Sequence, residues 1–430
     1  PPPPPPPLEN TLSLHDALPI SQILIDSRPI FSALSGVYGL EQIPANMIER
    51  VEVMRGGGSA LFGSSAIAGT INIITKEPLR NSGQLAHTIT SIGGSSSFDN
   101  NTSLNASLVT DDHRAGLYVF GQNRHRDAYD HDGDGYSEMP KLKNQTVGFR
   151  SFLKTSTYSK LTFEYHHLQE FRRGGNMLNR PPHEADIAEQ IQHSINGGGL
   201  KFDYFAPNEK HRLTLYTSAQ HTDRDSYYGS KKDLNAYGKT TDLTFIGGSQ
   251  YVYSFDKCLF MPADLTAGLE YNRDNMKDDM WGYNRYTRQT VNIGSAFFQN
   301  EWKNEKWSIL LGGRLDKHNL INHVIFSPRA NLRFNPTQDV NLRLSYSSGF
   351  RAPQAFDEDL HIENVGGTVS MIERAKNLKE EKSQSFSASA DMYHRFGAFQ
   401  VNFLVEGFYT KLSDVFVLEN IGERDGILIK

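Results

Sequence analysis

The segment Ile43–Lys76, reading IPANMIERVEVMRGGGSALFGSSAIAGTINIITK, constrains the fold of this chain more than any other stretch. Within it, Ile48 to Arg55 has the β-branched content of a strand, yet Glu49, Arg50, Glu52 and Arg55 place charge on both faces of a period-2 reading. Such a strand needs polar surroundings on both sides. Gly56, Gly57 and Gly58, then Gly63 and Gly69, mark turns or close backbone approach, after which Thr70 to Thr75, with Asn72 among them, returns as a second strand. From pattern alone, a Gly-rich hairpin in an ordinary soluble sheet is the alternative.

From about Gln84 onward the chain is a ladder of alternating strands, each read as near the roughly ten residues that cross a bilayer on a tilt. Leu161, Phe163 and Tyr165 alternate with Thr162, Glu164 and His166; Leu342, Leu344 and Tyr346 alternate with Arg343 and Ser345. Phe399, Val401, Phe403 and Val405 do the same with Gln400, Asn402 and Glu406. A soluble sandwich shows this pattern too, so the connections must decide. Every second one is short: Thr110 to His113, Thr155 to Ser159, Pro207 to Lys210, Asn304-Glu305, Asn335 to Gln338 and His394 to Gly397. The connections between them are mostly long: Arg124 to Lys143, Phe171 to Gln190, Arg224 to Lys239, Asp274 to Gln289 and Arg351 to Glu381. Short turns on one rim and long loops on the other are the arrangement of an outer-membrane barrel, here of about fifteen strands starting near residue 83.

Composition permits this reading. Charged residues make up 22% and the net charge is -5, with a mean hydropathy of -0.51; a barrel averages lipid-facing and lumen-facing residues to just such a polar value. No run approaches the ~18 apolar residues of a transmembrane helix. Cys258 is the one cysteine, which excludes an internal disulfide and leaves packing as its expected role. Mild acidity argues against nucleic acid as a partner. No G-x-S-x-G, zinc-protease or phosphate-loop pattern is present, so nothing argues for an enzyme.

Ile43-Pro44, Ile48-Glu49-Arg50-Val51-Glu52-Val53, Arg55-Gly56, Ala60-Leu61-Phe62-Gly63 and Ala66 to Lys76 resemble, in order, the end of the plug domain of TonB-dependent outer-membrane receptors. Ile23 to Ile30 resembles the strand and turn that family places shortly before, with Ser27 where glycine is usual. The resemblance implies an all-β membrane protein: a partial plug over 21–80 inside an antiparallel transmembrane β-barrel over 81–430. Residues 1–20, which begin with seven prolines, read as a non-native or disordered leader. Because the family's barrel has about 22 strands, the resemblance implies that several C-terminal strands are absent, as are the coupling box and signal peptide. It further implies outer-membrane lipid around the wall, a TonB-type energy-coupling protein as partner, and active uptake of a scarce metal chelate. A passive porin or adhesin is the competing expectation, and a barrel enzyme using a rim serine such as Ser347 is a distant one.

Two loops carry candidate chemistry. In Asp127 to Glu138, Asp130, Asp132 and Asp134 stand at alternate positions before Gly135, like the opening of a calcium loop. The expected twelfth-position glutamate is Lys141, and Glu138 stands ninth, so a calcium site with nonstandard closure competes with a solvated Asx-rich turn. No cofactor is otherwise required. The second loop, Ser345 to His361, ends a strand at Gly349 and delivers Phe350, Arg351, Phe356 and His361 to the long-loop rim as expected substrate contacts. Phe350-Arg351-Ala352-Pro353 resembles a box found in these receptors, haem-uptake members included, whereas the second box is half matched at Ala375 to Lys379. The expected cargo is therefore a siderophore or other iron chelate first, haem second and cobalamin third. The histidine clusters at His125 and His131, His166-His167, and His183 and His193 are expected to be hydrogen-bonded lumen or loop residues, and His183 to Gln190 a short loop helix.

Overall fold

In this computed structural model the described residues are 21–28, 43–55, 63, 67, 69–355, 369–376, 378–424 and 426–430. The Pro-rich leader lies outside them. A three-stranded sheet comes first, built from β1 (Ser21–Ile25), β2 (Ile48–Arg55) and β3 (Gly69–Thr75). Its order is β1-β3-β2, with β1 parallel and β2 antiparallel to β3. The apolar β3 is therefore central, and the charged β2 lies at an edge where its side chains reach water. Val53 is 65% exposed there, and Arg50 pairs with Glu52 at 2.8 Å. Asn72 explains how one polar residue sits inside the middle strand: its side chain donates to Glu52 at 3.1 Å and accepts from the Ser27 backbone N–H at 2.8 Å.

The wall begins at β4 (Ser82–Ser91) and continues through β5 (Phe98–Val109), β6 (Ala115–Arg126), β7 (Ser137–Ser156), β8 (Ser159–Gly175), β9 (Ile187–Phe205), β10 (His211–Ser230) and β11 (Tyr237–Cys258). It then runs through β12 (Met261–Met280), β13 (Arg285–Lys303), β14 (Trp307–His318), β15 (Ile325–Thr337) and β16 (Val340–Arg351). A small sheet of β17 (Val369–Met371), β20 (Gly422–Arg424) and β21 (Ile427–Ile429) flanks the last two wall strands, β18 (Glu381–Phe396) and β19 (Phe399–Ser413). The wall has the fifteen strands expected from alternation, joined in sequence order by antiparallel pairing. Among the described residues no helix is long and apolar enough to cross a membrane, which says nothing against crossing by strands.

Contacts with the first sheet show how the wall bends. Asn46 and Asp26 reach β5 to β7, Gly63 lies against Arg314 of β14, and the Ile67 carbonyl accepts from Ser383 of β18. One compact unit touches both ends of a fifteen-stranded sheet only if that sheet curls around it. Along β8, Phe163 and Tyr165 face outward while Thr162 is buried toward the enclosed unit, as the alternation requires.

The strand lengths depart from expectation. They run from 10 residues in β4 to 22 in β11, because the ladder continues well past any apolar stretch. Thus the connection read as Arg224 to Lys239 shrinks to 231–236, and that read as Asp274 to Gln289 shrinks to 281–284. The short turn at 259–260 was not anticipated, and a 3-10 turn at Pro182–Glu184, followed two residues later by β9, replaces the expected helix over His183 to Gln190. The alternation of short and long connections survives these corrections except at 281–284, which is no longer than the turns of the opposite rim. Aromatic pairs mark the short-turn rim: Phe260 stacks on Trp302 with centroids 5.6 Å apart, and Trp307 on Phe334 at 4.2 Å.

Candidate functional site

The plug-like sheet is fastened to the inner wall by charge. Asp26 and Arg28 lie in the turn after β1, and their partners are Arg150 of β7 and Glu164 of β8. Arg150 bonds Asp26 and the Thr75 hydroxyl; Arg28 bonds Glu164. Arg150 is also 3.3 Å from Glu77, which Lys160 approaches at 3.0 Å. Asp26, Arg28, Arg150 and Glu164 are all nearly buried, so each charge depends on its partners. Gly199 in β9 makes the approach feasible, since a Cβ there would collide with the Arg28 guanidinium. Beside this clamp, the Tyr118 hydroxyl donates to the Asn46 carbonyl at 2.6 Å, and Met47 packs on Tyr118 and Phe120.

A second buried network faces Gly63. Arg314 donates to Asp316 at 2.8 Å, Glu270 at 2.7 Å and Ser295 at 2.8 Å, while Tyr216 donates to the other Glu270 oxygen at 2.6 Å. Gly63 has φ +83°, which favours glycine, and a Cβ on it would stand 3.0 Å from Arg314 Nη2, so any side chain there presses on the guanidinium. Of the other plug residues singled out by sequence, Gly69 pairs with both Ser21 and Arg55, and Glu49 points to solvent. Gly56 lies outside the described residues. On the opposite side of β2, a polar cavity of about 550 Å³ separates Val53 and Met54 from β13 to β16, β18 and β19.

At the long-loop rim the expected substrate contacts divide. The strand does not end at Gly349: β16 continues through Arg351 because Phe350 and Arg351 still pair with Lys382 and Glu381. Phe350 is 1% exposed, packed with Ile321, Ile325 and Ala352, so it supports the loop base and offers no ring face to a solute. Arg351 reaches Glu381 at 3.4 Å and lies over the Phe416 ring at 5.6 Å. Phe356 and His361 lie outside the described residues. Sequence reasoning missed Gln289 and Arg374: Gln289 bonds Ala355 through both amide atoms, and Arg374 donates to Gln289 and the Pro353 carbonyl at 3.0 Å each. Nearby, burial alone would raise the Glu380 carboxyl, but Lys382 and His323, both at 2.9 Å, bring it below the ordinary carboxylate value. That contact contributes above the unfolded glutamate value and is lost as pH falls through the lowered one.

The acidic loop gathers its carboxylates. Asp130, Asp132, Asp134 and Glu138 each offer an oxygen within 4.8 Å of the others. Backbone N–H groups hold them: Gly133 and Gly135 donate to Asp130, Tyr136 to Asp134 and His131 to Glu138. Among the histidines, His183 bonds the Tyr237 hydroxyl at 2.8 Å and His193 lies 3.8 Å from Glu170.

Comparison with known proteins accounts for this arrangement. Residues 13–70 match the TonB-dependent Receptor Plug Domain, and residues 75–427 match the TonB dependent receptor-like β-barrel. The vitamin B12 transporter BtuB of Vibrio vulnificus is 24% identical over 345 residues, which is 78% of this chain and 52% of that protein. The BtuB of Photobacterium profundum is 24% identical over 382 residues, 87% of this chain and 56% of that protein. The chain thus spans about half the length of the curated relatives it matches. Among solved structures, the siderophore receptor PirA from Acinetobacter baumannii superposes with a TM-score of 0.78 at 18% identity, covering 95% of this chain and 68% of that one. A mutant of the ferric enterobactin receptor PfeA from Pseudomonas aeruginosa gives 0.77 at 17%, covering 96% and 67%. With both domain matches in chain order and the barrel match alone covering most of its length, the chain belongs to the TonB-dependent receptor family.

Proposed function

We propose that this chain is part of an outer-membrane receptor that takes up a large, scarce metal chelate of the cobalamin or siderophore class, driven by a TonB-type energy-coupling partner. The observation that carries this reading is the plug sheet held inside the wall by contacts to β5–β8, β14 and β18, because a lumen obstructed in this way is unsuited to passive flux. Receptors of this family are outer-membrane β-barrels of Gram-negative bacteria. The aromatic pairs at the short-turn rim and the outward Leu, Phe and Tyr side chains support the same placement here. The test is binding and uptake of cyanocobalamin and of ferric enterobactin by cells displaying the intact receptor. One of the two is expected to bind saturably and to enter only while the proton-motive force is maintained. Energy-independent entry of small sugars into liposomes would instead establish a porin.

The same reading includes calcium in the external acidic loop. Four carboxylates within 4.8 Å repel one another, a bound cation would relieve the repulsion that the backbone N–H groups leave, and hard oxygen donors at this spacing suit calcium. Calorimetry on the intact receptor is expected to show calcium heat that Asp132→Ala removes. Equal heats from both proteins would reject the site.

A further inference from the structure

The cavity beneath β2 contains a pair of like charges that neither the clamp nor the rim uses. Arg333 of β15 and Arg343 of β16 stand directly opposite each other in the ladder. Their neighbours on both strands, Leu332 opposite Leu344 and Phe334 opposite Leu342, alternate with them, so the two guanidinium groups share the lumen face with Asn331 and Ser345. Like charges directly opposite on an antiparallel pair are destabilising. Here the local hydrogen bonding does not compensate them. Arg333 Nε is buried without a partner, and Arg343 Nε donates only to the neutral Asn341 at 2.7 Å. Glu301 and Glu406 line the same cavity, yet neither arginine forms an ion pair among the described residues. Both arginines lie close to the short turn at 338–339, hence toward the short-turn mouth and past the plug edge at Val53 and Met54.

We propose that Arg333 and Arg343 form an oxyanion subsite, taking an anionic oxygen group (a carboxylate, a phosphate or an iron-bound catecholate) of a solute that has passed the plug. This rests on the transport reading above. Two guanidinium forks side by side on one face of the ladder suit bidentate contact with such a group. The cavity is wide and polar, so contact there is weak, as a transit station requires: a solute must enter it and also leave.

The test uses the intact receptor in detergent at low ionic strength, with inorganic phosphate as the probe. Phosphorus NMR is expected to show saturable millimolar binding that the Arg333→Gln/Arg343→Gln double variant loses. Arg343→Lys, which keeps the charge without the fork, should retain part of it and guards against a simple folding failure. An identical titration for wild type and double variant overturns the subsite. In cells, the double variant should bind cyanocobalamin or ferric enterobactin at the surface as wild type does, but take it up several-fold more slowly. Unchanged uptake alongside unchanged surface binding also overturns it. If neither probe binds the wild-type surface, the transport reading fails, while the phosphate titration still judges the arginine pair.

Discussion

Arg150→Met is expected to destabilise the receptor by about 3–5 kcal/mol, the usual cost of stripping one partner from a buried ion pair. The loss comes less from the missing attraction than from what remains. Asp26 and Glu164 stay nearly buried, while Arg28 alone faces both of them. The effect should fall on plug docking before the wall, since β7 keeps its backbone pairing to β6 and β8 whatever side chain stands at 150. Urea unfolding in detergent measures the total, and limited proteolysis around Asp26 reads the plug separately. Neutralising the whole group with Asp26→Asn, Arg28→Met, Arg150→Met and Glu164→Gln should cost less than the single change, because no unpaired charge is left behind. A quadruple variant weaker than Arg150→Met would show that the four charges add net attraction and are not merely mutually neutralising.

Arg314→Met should have an effect of the same order, about 3–5 kcal/mol, by leaving the carboxylates of Glu270 and Asp316 without the guanidinium that lies between them. Arg314→Lys is expected to cost less, since it retains the charge but cannot match the forked contact to Asp316, Glu270 and Ser295. Both variants are to be compared with Gly63→Val, which leaves every charge in place but forces a β-branched residue into a left-handed backbone against the same guanidinium. If Gly63→Val alone is neutral in urea unfolding, the close approach of plug and β14 does not matter to stability. If Arg314→Met is neutral while Gly63→Val is not, the site is steric and not electrostatic.

Much of the architecture was legible because a barrel wall is written locally. Leu161, Phe163 and Tyr165 against Thr162, Glu164 and His166 state which face of the wall points outward, and the alternation of short and long connections states which rim is which. Strand ends were not legible. Above the apolar zone both faces are polar, so alternation fades although backbone pairing continues, as in β10 to Ser230 and β11 from Tyr237. For the same reason two further residues joined β16, and Phe350 passed from the rim into a packed cluster.

By itself the sequence indicated a ladder of about fifteen alternating strands from near residue 83, and that Glu49 to Arg55 needs a polar setting. These follow from the period of side chains along one strand, which any single segment displays. Only the tertiary structure decided that β3 is the middle strand of the plug sheet, that Asp26 meets Arg150, that Gly199 makes room for Arg28, and that Arg333 faces Arg343. Those relations join residues on separate strands, in the clamp more than a hundred positions apart. Register and the curl of the wall select them, and neither is encoded in the pattern of one strand alone.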